Sequence, residues 1–155
     1  MKKTFYFAAL SLVIFSCSKT TVEPEPADQV VGTYITATYT ATTNGAGYAL
    51  DLTNTAVGLQ ITFDVVKKTG TTATLIEKDV NKDATGKITT DTYTYDIELK
   101  KNAKIATQFD ISDAKTGAAR GMIGNDSMTF LNEYDDKDSN GKTIRVKETF
   151  VTKKQ

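Results

Sequence analysis

The stretch TDTYTYDIEL, residues 90–99, decides the fold class. Apolar and polar side chains alternate along it, and the apolar ones are Tyr93, Tyr95, Ile97 and Leu99. This period of two predicts a β-strand with one face on a core and the other in water. The stretches GLQITFDVV, residues 58–66, and KIATQFDIS, residues 104–112, show the same alternation. The sequence therefore predicts an antiparallel sheet that covers a core on one side.

Composition and turn residues extend this prediction to the whole domain. The chain contains 27 threonines, seven tyrosines and seven phenylalanines, which favour strands, and turns such as Asn44-Gly45 and Asn140-Gly141 separate the strand-like segments. Predicted strands cover about residues 31–43, 47–52, 57–66, 71–79, 87–99, 104–112, 118–124, 127–135 and 142–152. A meander of so many strands avoids open edges by closing on itself. We expect an all-β protein, an antiparallel up-and-down barrel of eight or nine strands.

The beginning of the chain has the features of a secretion signal. Lys2 and Lys3 precede an apolar segment, residues 5–15, that is too short for a membrane-spanning helix of about 20 residues. The following Ile14-Phe15-Ser16-Cys17 resembles the lipobox of bacterial lipoproteins, with Phe15 larger than the usual small residue. The resemblance to lipoproteins of the Bacteroidota implies that Cys17 is diacylated and becomes the first residue after cleavage. An ordinary signal with a coincidental cysteine and a buried free thiol are the alternatives.

The chain is therefore expected to have three parts: a signal peptide at residues 1–16, a lipidated tether at 17–29 and a lipocalin-like β-barrel domain at 30–155. The tether contains Pro24 and Pro26, the only prolines of the chain, and is expected to be an extended spacer. Two acyl chains hold a protein stably on a bilayer, so we expect an outer-membrane lipoprotein of the cell envelope, facing the periplasm or the surface.

Removal of the signal leaves a net charge of −2, and such a chain is not expected to bind nucleic acid.

The resemblance behind the name lipocalin-like comes from both ends of the domain. The first predicted strand contains Gly32-Thr33-Tyr34. Residues 120–136 contain a glycine turn, a predicted strand and an acidic loop, and residues 141–154 contain the last predicted strand and a basic end. This is similar to the lipocalin-like domains of Bacteroidota lipoproteins, which belong to the calycin barrels, and the similarity spans about residues 30–153. Lipocalins pack a tryptophan of the first strand against an arginine of the last. Tyr34 stands at that tryptophan position, and Arg145 is predicted on the outer face.

The last predicted hairpin allows a prediction of register. If Tyr134 lies opposite Ile144, then Phe130 lies opposite Glu148 on the inner face, and Glu133 pairs with Arg145 on the outer face as an exposed ion pair. The inward position of Glu148 is unusual, because an unpaired buried carboxylate is costly. We expect Glu148 to reach the open end of the barrel, to meet a tyrosine hydroxyl or to mark a bulge.

The inward-facing tyrosines suggest where a ligand could bind. Buried tyrosine hydroxyls need hydrogen-bond partners, so we expect a polar mouth lined by Tyr93, Tyr95 and Tyr134, with Glu148 as a polar contact. This interpretation favours binding of a small apolar or amphipathic ligand, or of an envelope protein partner. The alternative is a non-catalytic accessory lipoprotein whose solid core leaves these tyrosines at the rim.

Catalysis and metal binding have weaker support in the sequence. The chain has no histidine and one cysteine, so we predict no enzyme activity and no cofactor. Asp136, Asp138 and Asn140 resemble the first half of a calcium-binding loop, but its twelfth position is Lys147, which cannot ligate a cation. The stretch NKDATG at residues 81–86 has a weaker resemblance to such a loop. Both segments are predicted to be ordinary hairpin loops.

Overall fold

The computed structural model describes residues 23–155, so the predicted signal peptide and Cys17 lie outside the described residues. A short helix, α1 (Pro26–Val30), precedes the strands, and a 3-10 turn (Thr55–Val57) follows the second strand. The strands are β1 (Gly32–Thr43), β2 (Ala46–Asp51), β3 (Leu59–Lys67), β4 (Thr72–Lys82), β5 (Ile88–Lys101), β6 (Gln108–Asp113), β7 (Ala119–Gly124), β8 (Ser127–Lys137) and β9 (Thr143–Lys154). None of the helices in this part of the chain is long and apolar enough to cross a membrane.

The sheet closes into a barrel, as predicted. All neighbouring strands are antiparallel, and β1 pairs with β9 from Tyr34 opposite Lys154 to Thr43 opposite Val146. The meander has one departure: β3 pairs with the beginning of β1 at residues 32–35, whereas β2 pairs with its later part at residues 38–43. The result is a closed barrel of eight strands with β2 attached as an extra strand beside β1.

Most predicted strands match the observed ones, but the sixth begins later than expected. The side-chain Oδ1 of Asn102 accepts hydrogen bonds from the backbone N–H groups of Lys104 and Ile105, at 2.9 Å each. These bonds hold residues 102–105 in a turn, so the prediction that a strand begins at residue 104 is wrong. Ile105, predicted to face the core, is 42% exposed.

The helix α1 closes one end of the barrel. Ala27 and Val30 are fully buried, and the hydroxyl of Tyr34 donates to the carbonyl oxygens of Val30 (2.8 Å) and Gly124 (3.0 Å). The prediction of an extended spacer at residues 18–28 is therefore wrong for residues 26–28. The apolar pair at positions 27 and 30 lies on one side of a helical turn, which proline at its first position permits, and the barrel buries that side.

The half of the barrel next to α1 is filled by a packed aromatic core. The ring centroid of Phe63 lies 5.1 Å from that of Phe150 and 5.6 Å from that of Phe130, and both contacts are edge-on. Tyr95 contacts Phe130 and Tyr39 contacts Phe150 at similar distances. These rings form a solid floor, so the polar half of the barrel begins above them.

The β8–β9 register differs from the prediction by two residues. Tyr134 lies opposite Val146, Phe130 opposite Phe150, and Asn132 opposite Glu148. A shift of two preserves which side chains face inward, so Glu148 stays inside as expected. Glu133 and Arg145 still form an ion pair at 3.1 Å, but diagonally across the outer face.

The cation that contacts Tyr34 is not Arg145. Arg145 lies outside, as predicted, and binds Glu133 and Asp135. Instead, the ammonium group of Lys154, at the end of β9, lies 5.6 Å from the centroid of the Tyr34 ring. This cation–π contact joins the first and last strands at the closed end of the barrel.

Candidate functional site

Unequal strand lengths open the end of the barrel opposite α1. On one side, β6 pairs with β5 only at residues 97–101, and β7 pairs with β8 only at residues 128–130. The β4–β5 and β8–β9 hairpins therefore extend beyond the short β6–β7 hairpin. Their inner faces are exposed to one another above the aromatic floor.

A pocket of about 370 Å³ lies between these two hairpins. This volume is at the small end of the range for ligand sites and has room for roughly a dozen water molecules. Its lining consists of Glu77, Asp79, Tyr93, Tyr95, Asn132, Tyr134 and Glu148. The structure thus brings together the four side chains singled out from the sequence, and it adds three polar ones.

Glu148 is the centre of a hydrogen-bond network at the pocket wall. Its Oε1 accepts from the hydroxyl of Tyr39 at 2.7 Å and from that of Tyr134 at 3.5 Å. Its Oε2 accepts from the amide of Asn132 at 3.2 Å. Of the expected explanations for its inward position, the tyrosine hydroxyl and the open end of the barrel both hold.

Glu77 is the most buried acid of the pocket and was not identified from the sequence. Only 3% of it is exposed, and its Oε2 accepts a 2.8 Å hydrogen bond from the hydroxyl of Tyr95. The available signal was parity, because Glu77 and Asp79 continue the inward series of Ala73 and Leu75 along β4.

Burial and like charge shift the protonation of these acids. Burial raises the pKa of Glu77 to about 8, and the nearby Asp79 and Glu148 charges add to the rise. Burial also raises the pKa of Asp79 to about 6, with further contributions from Glu148 and from Asp91. Burial next to Glu148 raises the pKa of Tyr134 to about 12. The two acids of β4 are therefore more readily protonated than ordinary carboxyls.

The pocket has a surplus of negative charge. Among the described residues, Glu77, Asp79 and Glu148 form no ion pair with any lysine or arginine. Asp79 also lies directly opposite Asp91 of β5, an arrangement of like charges that destabilises a sheet. Arg120 reaches the network only from outside the lining, with its Nη1 3.5 Å from Oδ1 of Asn132.

Of the candidate calcium residues, Asp136 lies near the end of β8, and Asp138 and Asn140 belong to the turn between β8 and β9. Oδ1 of Asp138 accepts hydrogen bonds from the backbone N–H groups of Asn140 and Lys142, each at 2.9 Å. Asp83 makes the same bonds to Thr85 and Lys87 in the β4–β5 turn. Within residues 23–155, no group of three acidic or cysteine side chains is placed to hold a metal ion.

The chemistry available in the pocket is hydrogen bonding, aromatic contact and proton exchange. Tyr93 and Tyr134 present rings that are 49% and 39% exposed at the rim. Glu77 and Asp79 are two positions apart on the inner face of β4, and beyond the effect of burial Asp79 raises the pKa of Glu77, whereas Glu77 lowers that of Asp79.

Comparison with known proteins gives little beyond the geometry. No protein-family model matches the chain, and no curated protein matches it. A solved structure described as a redesigned β-barrel is similar over 84% of this chain and 96% of its own, with 15% sequence identity and a TM-score of 0.34.

Proposed function

We propose that this protein is a lipid-anchored envelope protein that binds a small amphipathic molecule in the open-end pocket. The observation that carries the proposal is the pocket itself, which combines exposed tyrosine rings at the rim with three carboxyl groups on the walls, above the packed aromatic core. Aromatic side chains beside convergent polar groups are a common feature of ligand sites. Binding rather than catalysis is proposed, because the pocket lining contains no histidine, cysteine, serine or lysine beside its carboxyls.

Two arrangements in the pocket that destabilise the fold support a binding role. Glu77 is buried without a cationic partner among the described residues, and Asp79 lies opposite Asp91. Replacement by apolar residues would remove both costs. Departures of this kind from a stable core are expected at functional sites.

The position of α1 fits an anchor at Cys17. Glu23 pairs with Lys101 and Glu25 with Lys67, both at the closed end of the barrel. The segment from Cys17 to Glu23 can span at most about 20 Å. With Cys17 acylated, the closed end lies near the bilayer and the pocket opens away from it.

Native mass spectrometry of the full chain, purified in detergent from its own host, tests the proposal. We expect a retained small mass at one equivalent. Tyr93→Ala and Tyr134→Ala should reduce its occupancy, because both rings line the pocket. Tyr48→Ala is the matched control, since Tyr48 lies on β2 and is 57% exposed.

Two results would contradict the proposal. One is an adduct that all three variants retain equally, which would place the ligand elsewhere. The other is the absence of any adduct together with no change in melting temperature across a library of host metabolites. The latter result would leave a docking lipoprotein with a solid core as the better account.

A further inference from the structure

The negative charge of the pocket indicates which class of ligand it binds, and this inference rests on the proposed function. We propose that the pocket binds a small organic cation, a protonated amine on an apolar body. The ammonium group binds at the pocket wall that carries Glu77, Asp79 and Glu148, and the apolar body packs against Tyr93 and Tyr134.

The acids of the pocket lack the partner that a cation would supply. Glu77 is 3% exposed, and its one hydrogen-bond donor among the described side chains is Tyr95. Oδ1 of Asp79 is inaccessible to water and accepts no hydrogen bond from a described donor. A buried carboxylate without a partner is costly. An ammonium group has three donors and would satisfy several of these oxygens at once.

Protons compete with a cation for the acids of the pocket. Glu77 and Asp79 are two positions apart on the inner face of β4, both line the pocket, and burial raises the pKa of each. A bound ammonium would favour the ionised form of both acids. Cation binding should therefore release a proton from this pair.

Aromatic residues supply the second half of the site. Cations are attracted to the faces of tyrosine rings, and alkyl or aryl groups pack on them. Tyr93 and Tyr134 offer such faces at the rim, on opposite hairpins. Asp91 and Asp136 lie on the same two strands near the mouth and add negative charge that attracts cations.

Other ligand classes fit the pocket less well. An anion would meet three carboxyl groups that have no cationic partner among the described residues, with Arg120 outside the lining. A bare metal ion lacks a suitable set of three ligands in residues 23–155. A neutral polar molecule, such as a sugar, would leave the surplus charge uncompensated.

The groups around Glu77 predict the direction of the pH dependence. The β5 strand presents Tyr93, Tyr95 and Asp91, and β4 presents Asp79. Asn132 and Tyr134 of β8 and Glu148 of β9 complete the surroundings, with Tyr39 of β1 bonded to Glu148. None of these groups is a cation. Protonation of the acids removes the negative charge that attracts an ammonium group, and it therefore opposes ammonium binding. Affinity for the amine should rise between about pH 5.5 and 8.5.

Calorimetric titration of the full chain in detergent micelles, with a blank of protein-free micelles, tests this inference. The probes are phenethylamine, phenethyl alcohol and hydrocinnamate, which share one body and end in ammonium, hydroxyl and carboxylate. We expect phenethylamine to bind about tenfold more tightly than the alcohol, the effect of one charge-assisted hydrogen bond. Its binding heat should vary with the ionisation enthalpy of the buffer, since protons are released.

Three variants test which acidic residues are responsible for the tighter binding of phenethylamine. Glu77→Gln and Glu148→Gln should each weaken phenethylamine binding about tenfold, whereas Glu133→Gln should not, because Glu133 pairs with Arg145 on the outer face. If the alcohol or hydrocinnamate binds as tightly as the amine, or if only a neutral metabolite binds in the pocket, the cation inference fails and the proposed function stands. If neither these probes nor any metabolite binds there, both fail.

Discussion

The hydroxyl of Tyr39 donates a 2.7 Å hydrogen bond to Oε1 of Glu148, across the seam where β1 closes the barrel against β9. Tyr39 is 9% exposed, so this bond satisfies a hydroxyl that water barely reaches. The same carboxylate accepts from Asn132 and Tyr134 on the other side. Glu148 therefore connects three strands at the wall of the pocket, and its inward position has a structural as well as a proposed binding role.

Replacing Glu148 by leucine should destabilise the protein. Glu148→Leu removes the acceptor of Tyr39 and leaves a nearly buried hydroxyl unpaired, which costs about 1–3 kcal/mol. Glu148→Gln keeps an acceptor oxygen and should cost less than half as much. Urea unfolding of both variants measures the difference. A leucine variant more stable than the wild type would show that the network contributes less than the repulsion among the pocket acids.

The free energy of unfolding should fall as the pH rises from about 5 to 8. Glu77 has a pKa of about 8 in the folded protein against an ordinary value of 4.5, so the folded state binds more protons than the unfolded state between these values. Stability from this group is complete below pH 4.5 and is lost as the pH rises through 8. The loss should be on the order of 2–4 kcal/mol.

Glu77→Gln is the control for this pH dependence. Glutamine cannot ionise but can accept from Tyr95, so the variant should have a flatter profile between about pH 5 and 8 and should exceed the wild type in stability at pH 8. Denaturant unfolding at several pH values gives both profiles. Identical slopes in the two proteins would assign the dependence to other groups, Asp79 first among them.

The helix α1 should contribute measurably to stability. Val30→Ala removes buried methyl groups from the closed end and should cost about 1–3 kcal/mol. Val31→Ala is a close control, because Val31 is 42% exposed and should change stability by less than about 0.5 kcal/mol. Equal effects of the two substitutions would mean that α1 does not pack against the barrel in solution.

Lipidation of Cys17 is open to a direct chemical test. In the native host, labelling with an alkyne fatty acid should mark the wild type, and Cys17→Ser should remove both the label and membrane association. Ser18→Ala keeps the thiol and should be labelled normally. An unlabelled wild-type chain would contradict the anchor.

Alternation within strands explains why so much of the pocket could be predicted. Inward and outward positions follow from a period of two, and this placed Tyr93, Tyr95, Tyr134 and Glu148 on the inner face without knowledge of their neighbours. The register of β8 and β9 could not be fixed in the same way. A slip of two residues leaves the facing of every side chain unchanged, and the observed pairing goes with a tight turn at residues 138–142.

Two other features depend on contacts distant in sequence. β2 and β3 pair with different parts of the same edge of β1. The local sequence pattern does not show that the change from β3 to β2 occurs at residues 35–38 of β1. The predicted strand at residues 71–79 contains Glu77, but alternation alone does not show that this side chain is buried. Its partner Tyr95 lies on the next strand, directly opposite Leu75 rather than Glu77.

Tyrosine-selective carbon-13 NMR of the full chain, titrated with a small-molecule extract of the host envelope, tests the central claim most directly. The account predicts shifts of the ring signals of Tyr93, Tyr95 and Tyr134, which line the pocket. The signals of Tyr34, at the closed end, and of Tyr48, on β2, should stay unchanged. Unchanged signals of all three pocket tyrosines at saturating extract, or shifts confined to Tyr48, would contradict a ligand site in the barrel.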